Sequence, residues 1–366
     1  MLEHWRLLDS GLAAAGRNIA LNRALLEARH ADESPSTLRF LRFAPGVLLA
    51  SRQSAAEELN GPYCAASKLS LQRRITGGVA WVVDERQLGW ELYLHRRELG
   101  TTSMDTLAKR AGHAAATALA ALGMDARYRA RNEIEVDGRV VCMLAHAAEG
   151  QGLLVQALLL LDPDLERSAL ALRLPVCTGQ ASMDMPDSAG AKRATAALGS
   201  RMSGLKTVLG RMPDPWLVRH NLTEAFESEF DVEFREGDLN LTEHDRYLRA
   251  LGEIESRGWI ELVARPARGV PMVEAVHPVP GGNLRAALKY EVSTRTIKEV
   301  WFSGDVALNP RRSLNDLEAA LRNVSLERLE RQVSSFFASH AIERGSIQPA
   351  HFVAVVRLAA GQPLAA

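Results

Sequence analysis

Lysine is scarce in this chain. Of 44 basic residues, six are lysines: Lys68, Lys109, Lys192, Lys206, Lys289 and Lys298. Chemistry that needs an ammonium group therefore has few candidates. Cysteine is scarcer still, with Cys64, Cys142 and Cys177 widely spaced. An odd number of isolated cysteines excludes a disulfide framework and a zinc pattern, and fits reduced thiols in a cytoplasmic protein. Neither sign of charge is in excess. The balance of 44 Lys+Arg against 44 Asp+Glu gives a formal net charge of zero, which argues against a nucleic-acid or membrane-surface binder. Long apolar runs are absent; "GLLVQALLLL" has about half of the roughly 18 residues that a membrane span needs and reads as a buried strand. The opening residues "MLEHWRLLDSGLAAAGRNIAL" lack the charged-then-apolar pattern of a signal peptide. His95, His113 and His146 have no partner at metal-ligand spacing, so no metal site is expected.

What is present is the mix of an ordinary soluble globular protein: 366 residues, 47% apolar and 24% charged. That length suits one large domain plus a smaller one, or two domains. Residues 12–30 have helical periodicity. "STLRFLRFAPGVLLASR" reads as two strands broken at Pro45. Residues 103–123 read as an amphipathic helix, capped by Ser103 and ended by Gly123. A strand meander follows to Asp162, with a hairpin turn at Asp137-Gly138. Helices are expected after Pro163, from Pro213 and near 242–257, whereas residues 175–199 read as a loop. The Pro- and Gly-dense region carries a linker at 263–279 between a domain of residues 1–262 and one of residues 280–366. The latter reads as strand, turn, strand and three short helices.

One stretch suggests a site. In "SLQRRITGGVAWVVDERQLGWELYL", Arg73 and Arg74 adjoin Gly77-Gly78 at the start of a strand. A guanidinium fork matches phosphate or carboxylate oxygens, and glycine lets backbone N–H groups approach a ligand closely. The two arginines are ligands for an anion or members of a fold-supporting ion pair. Trp81 and Trp90 read as core residues, with ligand stacking the alternative.

Six segments in order resemble the lipoate–protein ligase A family, part of the wider biotin/lipoate ligase and octanoyltransferase group. They are "NIALNRALLEA", "LRFLRFAPGVLLASRQSAAEELN", "RRITGGVAWVVD", "RNEIEVDGR", "SRMSGLKTVL" and "YEVSTRTIKEVWFSGDVALN". The resemblance implies an α/β (α+β) fold, with mixed sheets flanked by helices in the ligase-like domain and a small C-terminal α+β accessory domain. It also implies a chemistry. Lipoate or octanoate reacts with ATP, with Mg2+ as a candidate companion, to give an acyl-adenylate, and a lysine of a lipoyl-carrier domain then attacks the acyl carbon. Arg73, Arg74, Gly77, Gly78 and Asn132 occupy the positions that would hold the acyl-adenylate.

The pattern departs from the family at its centre. The catalytic lysine position is Val140, the small Ser-Gly-Ser run is Cys142-Met143-Leu144, the third glycine of the turn is Val79, and a histidine position is Val83. An acidic pair in the first helix is Asn22-Arg23. Lys206 is the candidate substitute for the missing lysine. Cys142 and Cys177 are candidate thioester nucleophiles, as in octanoyltransferases. Two functions follow: lipoyl or octanoyl activation or transfer onto a carrier-domain lysine, or a catalytically impaired paralogue that binds a lipoyl-domain partner, a metabolite or another ligase. A biotin ligase is disfavoured because its Gly-Arg-Gly-Arg pattern is absent.

Overall fold

A computed structural model describes residues 3–99, 103–129, 132–173, 188–262, 273–306, 308–309 and 313–361. In chain order the elements are β1 (Glu3–Ala13), α1 (Ala15–His30), β2 (Thr37–Phe43), β3 (Gly46–Leu49), α2 (Ala55–Glu58), α3 (Gly61–Ala66), β4 (Ser70–Arg73), β5 (Trp81–Val83) and β6 (Gln87–His95). Then come α4 (Met104–Ala120), β7 (Ala126–Arg129), β8 (Glu133–Val136), β9 (Arg139–Glu149), β10 (Gly152–Leu160), α5 (Leu165–Ala171), α6 (Ser188–Gly199), α7 (Leu205–Leu209), α8 (Pro215–Phe230) and β11 (Val232–Glu236). The remainder is α9 (Leu241–Ile254), α10 (Arg257–Ile260), β12 (Val273–Val279), β13 (Gly282–Glu291), β14 (Thr296–Gly304), α11 (Ser313–Ala320), β15 (Val324–Ser325), α12 (Leu329–Ser339) and α13 (Pro349–Ala359).

The chain separates into two units. The first holds residues up to Leu49, Ala55–Thr76 and Ala80–Ile260; the second holds Ala50–Ser54, Gly77–Val79 and the chain from Glu261. In the first unit an eight-stranded sheet runs in the order β11-β1-β2-β6-β10-β9-β8-β7, and a three-stranded sheet runs β4-β3-β5. The large sheet is mixed: β1 pairs parallel with both β2 and β11, and the strands from β2 to β7 pair antiparallel.

Period-two alternation splits each central strand between two cores. Trp90, Leu92, Cys142, Leu144, Val155 and Leu159 face one core with residues of α4 and α8, where Trp90 and Phe226 rings lie 5.0 Å apart. On the opposite face, Tyr93, Ala147 and Leu154 pack with α1 and α9. Next to them, Leu41, Ala145, Leu158 and Leu160 pack against Leu48, Trp81 and Val83 of the small sheet. Both faces are therefore covered, which explains the nearly continuous apolar run of β10.

Local signals place several elements. The Ser103 hydroxyl accepts from the Thr106 N–H and caps α4. Asp137 and Gly138, at φ 51° and 73°, make the β8–β9 hairpin turn. Other expectations change. Residues 188–199 of the expected loop form α6, and residues 273–279 of the expected linker form β12, which pairs with β13. Among the described residues no helix is long and apolar enough to cross a membrane.

The second unit has its own core beneath the sheet β12-β13-β14-β15, with Phe302, Phe337 and Phe352 in ring contact. Its Gly304-Asp305 turn is held by hydrogen bonds. Asp305 accepts from the Asn283 N–H at 2.7 Å and from the Gln53 amide at 3.2 Å, and Gly304 sits at φ 108°.

Candidate functional site: an arginine turn on a buried polar row

The strand β4 delivers Arg73 and Arg74 into the interior, where both are fully buried. Arg73 closes the end of α10. Its Nε donates to the carbonyls of Trp259 and Ile260, each at 3.1 Å, and its Nη2 donates to the Ile260 carbonyl at 2.7 Å. The Trp259 indole donates back to the Arg73 carbonyl at 2.9 Å. These are the carbonyls that a helix end leaves without partners, and a cation suits them twice over, as donor and as complement to the dipole.

Arg74 points the other way. Its guanidinium carbon lies 3.8 Å from the centroid of the Trp81 ring, its Nε donates to Thr76 Oγ1 at 2.9 Å, and its Nη1 donates to the Leu48 carbonyl at 3.3 Å. Stacking plus in-plane hydrogen bonding is a geometry that arginine satisfies and lysine does not. The glycine pair that follows belongs to the second unit, with Gly78 at φ 99°. That conformation is strained for any residue with a Cβ. Val79 beside it is 41% exposed.

Beneath the turn lies a row of polar side chains that the sequence reading did not assemble. Arg39, Glu91 and Gln156 are register partners on β2, β6 and β10, all on the face toward α1 and the small sheet. All three are buried. Glu91 Oε2 accepts from Arg39 at 3.0 Å and from the Tyr93 hydroxyl at 2.6 Å, while Oε1 accepts from Gln156 Nε2 at 2.8 Å. Gln156 Oε1 in turn accepts from the Thr76 hydroxyl at 2.8 Å, so the row reaches the arginine turn. Asn22 donates to the Tyr93 hydroxyl at 2.7 Å, and burial first, then the charge of Glu91, pushes that phenol well above its ordinary pKa. Asn22, from the position of the expected acidic pair, thus belongs to this row. The signal in the sequence was Arg39 and Glu91, charged residues inside two largely apolar strands, "TLRFLRF" and "GWELYLH".

The remaining candidates fall elsewhere. Val140 joins the segment after α6: its N–H donates to the Arg201 carbonyl at 2.8 Å and its carbonyl accepts from the Ser203 N–H at 2.9 Å. Position 140 thus carries no cation. Cys142 points into the α4 core, on the sheet face opposite Gln156, and burial pushes its thiol far above the usual range despite the neighbouring Trp90. A thiol held protonated is a poor nucleophile, and its burial in the α4 core argues against that role for Cys142. Of the Cys142-Met143-Leu144 run, only Met143 packs toward Trp81; Cys142 and Leu144 face α4.

Asn132 is a turn residue at φ 58°. Its Oδ1 accepts from the Tyr128 hydroxyl at 2.7 Å, and its carbonyl accepts from the Leu144 N–H. Lys206 sits half-exposed in α7 with its ammonium 2.9 Å from Asp162 Oδ2. Trp81 and Trp90 are core residues, with Trp81 also serving as the platform for Arg74. Cys177 lies outside the described residues. Among those residues no group of three His, Cys, Asp or Glu side chains could hold a metal ion.

Comparison with known proteins agrees with this architecture. Octanoyltransferase LipM of Moorella thermoacetica is 25% identical over 283 residues, which cover 71% of this chain and 98% of that protein. A bi-partite lipoate protein ligase of Thermoplasma acidophilum, described with its E2 lipoyl domain, superposes with a TM-score of 0.61 at 20% identity, covering 73% of this chain and 99% of that one. LipL1 of P. falciparum, in complex with lipoate, superposes with a TM-score of 0.68 at 14% identity, covering 92% and 95%. At those identities the two structures speak for the fold. The model of the lipoyl protein ligase A/B catalytic domain matches residues 14–227, more than half of the 366 residues, and this chain belongs to that family.

Proposed function

We propose that this chain binds a lipoyl-carrier domain and its lipoyl or octanoyl group, and that it does not itself activate the free acid with ATP. The observation that carries the reading is Val140. Both of its backbone polar groups are tied to residues 201 and 203, and its side chain supplies neither charge nor donor where the family pattern has a lysine. Loss of one donor to a developing negative charge costs about 100- to 1000-fold in rate. The proposed substitute, Lys206, is paired with Asp162. Arg73 and Arg74 already hold protein acceptors, which supports a turn that shapes a binding surface. On this reading ATP, Mg2+ and free lipoate or octanoate are not substrates, and the partner is a lipoyl-carrier protein in the cytoplasm.

A second reading is favoured by the relative named as an octanoyltransferase. Here the Cys177 thiolate attacks the acyl carbon of an octanoyl or lipoyl thioester, releases the donor's thiol, and passes the group from its own thioester to a carrier-domain lysine without ATP.

One experiment separates the two. The purified chain is incubated with apo-carrier domain, ATP, magnesium and lipoate or octanoate, and separately with apo-carrier domain and octanoyl-pantetheine as a thioester donor. Intact masses are read, and carrier binding is measured by calorimetry. Carrier binding with no mass gain on either protein is expected. Lipoylation of the carrier from ATP and lipoate would sink the proposal, and an added octanoyl mass on Cys177 would install the second reading.

A further inference from the structure

The hydrogen bonds between Glu91 and Arg74 run in one direction only. A carboxylate offers acceptors and no donor. Glu91 Oε1 therefore requires the Gln156 NH2 group to face it, and this fixes the amide orientation. The second proton of that amide points to Asn22 Oδ1 at 3.5 Å. With Nε2 so placed, Gln156 Oε1 must accept, and the donor it meets is the Thr76 hydroxyl at 2.8 Å. A hydroxyl has one proton. Once it is given to Gln156, Thr76 presents only lone pairs, and the Arg74 Nε–H fills one of them at 2.9 Å. Gln156, Thr76, Glu91 and Arg74 are all buried, so water does not compete for these bonds, and chains of this kind reinforce one another in a low dielectric.

We propose that Gln156 is a positioning residue for the arginine turn, acting through the Thr76 hydroxyl to set the plane of the Arg74 guanidinium on Trp81. Two consequences follow. Thr76 has no proton left for a ligand, so an anion at the turn is met by guanidinium or backbone N–H groups and not by this hydroxyl. The orientation of Arg74 also depends on a carboxylate two hydrogen bonds beyond the turn. The inference deepens the acyl-binding reading of the turn and rests on it only for the ligand arm of the test.

The test compares Thr76→Val, which keeps shape and loses the hydroxyl, with Thr76→Ser, which keeps the hydroxyl; Gln156→Leu is the third variant. The first readout is the 1Hε–15Nε resonance of Arg74 in arginine-labelled protein, assigned by its loss in Arg74→Lys. Slow solvent exchange is expected in the wild type and in Thr76→Ser. Exchange about tenfold faster or more is expected in Thr76→Val and Gln156→Leu, the size of one lost hydrogen bond to a charged group. The second readout is calorimetry with the octanoylated carrier domain, where the same two variants should bind about tenfold more weakly and Thr76→Ser as the wild type does.

Equal Arg74 exchange in Gln156→Leu and wild type, or in Thr76→Val and wild type, overturns the proposal, whatever the calorimetry gives. Wild-type protein that ignores the octanoylated carrier domain while the exchange pattern holds overturns the acyl reading of the turn and leaves the relay standing.

Discussion

Two stretches of this chain, the turn Gln72–Thr76 and the strand segment Arg139–Ala145, resemble places where the lipoate–protein ligase pattern is polar. They differ in what their side chains owe to the rest of the protein. In the turn each polar group has buried partners: Gln72 holds the Ile254 carbonyl, Arg73 the end of α10, Arg74 the Trp81 face, and Thr76 the row beneath. Removing one would leave a buried donor or acceptor unpaired, at about 1–3 kcal/mol each. In the strand segment, Val140 ties its neighbours through backbone groups alone, and Cys142 and Leu144 serve the α4 core as hydrophobes. A polar residue is hard to replace when buried partners depend on it, and easy to replace when its side chain answers only to a ligand.

That contrast can be broken or sharpened by substitution. The largest effect is expected at the row: Glu91→Ala leaves Arg39 buried without its carboxylate and should cost about 3–5 kcal/mol in denaturant unfolding. A loss below about 1 kcal/mol would show that the row is not a unit. Arg73→Met keeps bulk but abandons the α10 carbonyls, and should cost about 1.5–3 kcal/mol. On the strand side, Val140→Lys should change stability by about 1 kcal/mol or less, because the site is only half-buried and its tie to residues 201–203 is made by the backbone. The same variant is expected to raise acyl-adenylate formation above the wild-type level in a pyrophosphate-exchange assay; no rise would refute the reading of position 140.

The smallest expected effect lies outside both stretches. Arg97 first, and Arg29 second, hold the Asp32 carboxyl at about 2, below its ordinary 3.8. Its folded-state pKa is depressed, so its contribution to stability is present above pH 3.8 and lost as the pH falls toward 2. Asp32→Asn should flatten the stability profile across that window only, and less so in high salt. A difference between variant and wild type that persists unchanged below pH 2 would refute the assignment.

Much of the fold was legible where the cause is local. Ser103, the helical periodicity before Gly123, and the Asp137-Gly138 pair marked α4 and the β8–β9 hairpin within a few residues. Non-local pairing was not legible. The partner of β1 on its outer side is β11, and nothing near Glu3 announces Val232. The same holds for the site. Arg73 and Arg74 stood out as adjacent cations, but what they touch is set by Trp259 and Thr76, which only the folded chain brings to them. The row Arg39–Glu91–Gln156 exists through strand register, a property of the sheet and not of any one strand. Helix α6 was missed because "SAGAKRATAALG" is rich in small residues and its helical stripe is weak.

The pairing of Glu3–Leu7 with Val232–Glu236 has a consequence for biogenesis. While the chain is being made, the outer side of β1 waits with unsatisfied N–H and C=O groups until more than two hundred further residues have left the ribosome. Arg6 waits likewise for Glu243, its buried carboxylate partner. An open strand edge recruits stray strands, so the nascent chain is vulnerable over that interval. Stalled products truncated before residue 230 should be the ones that chaperones hold longest.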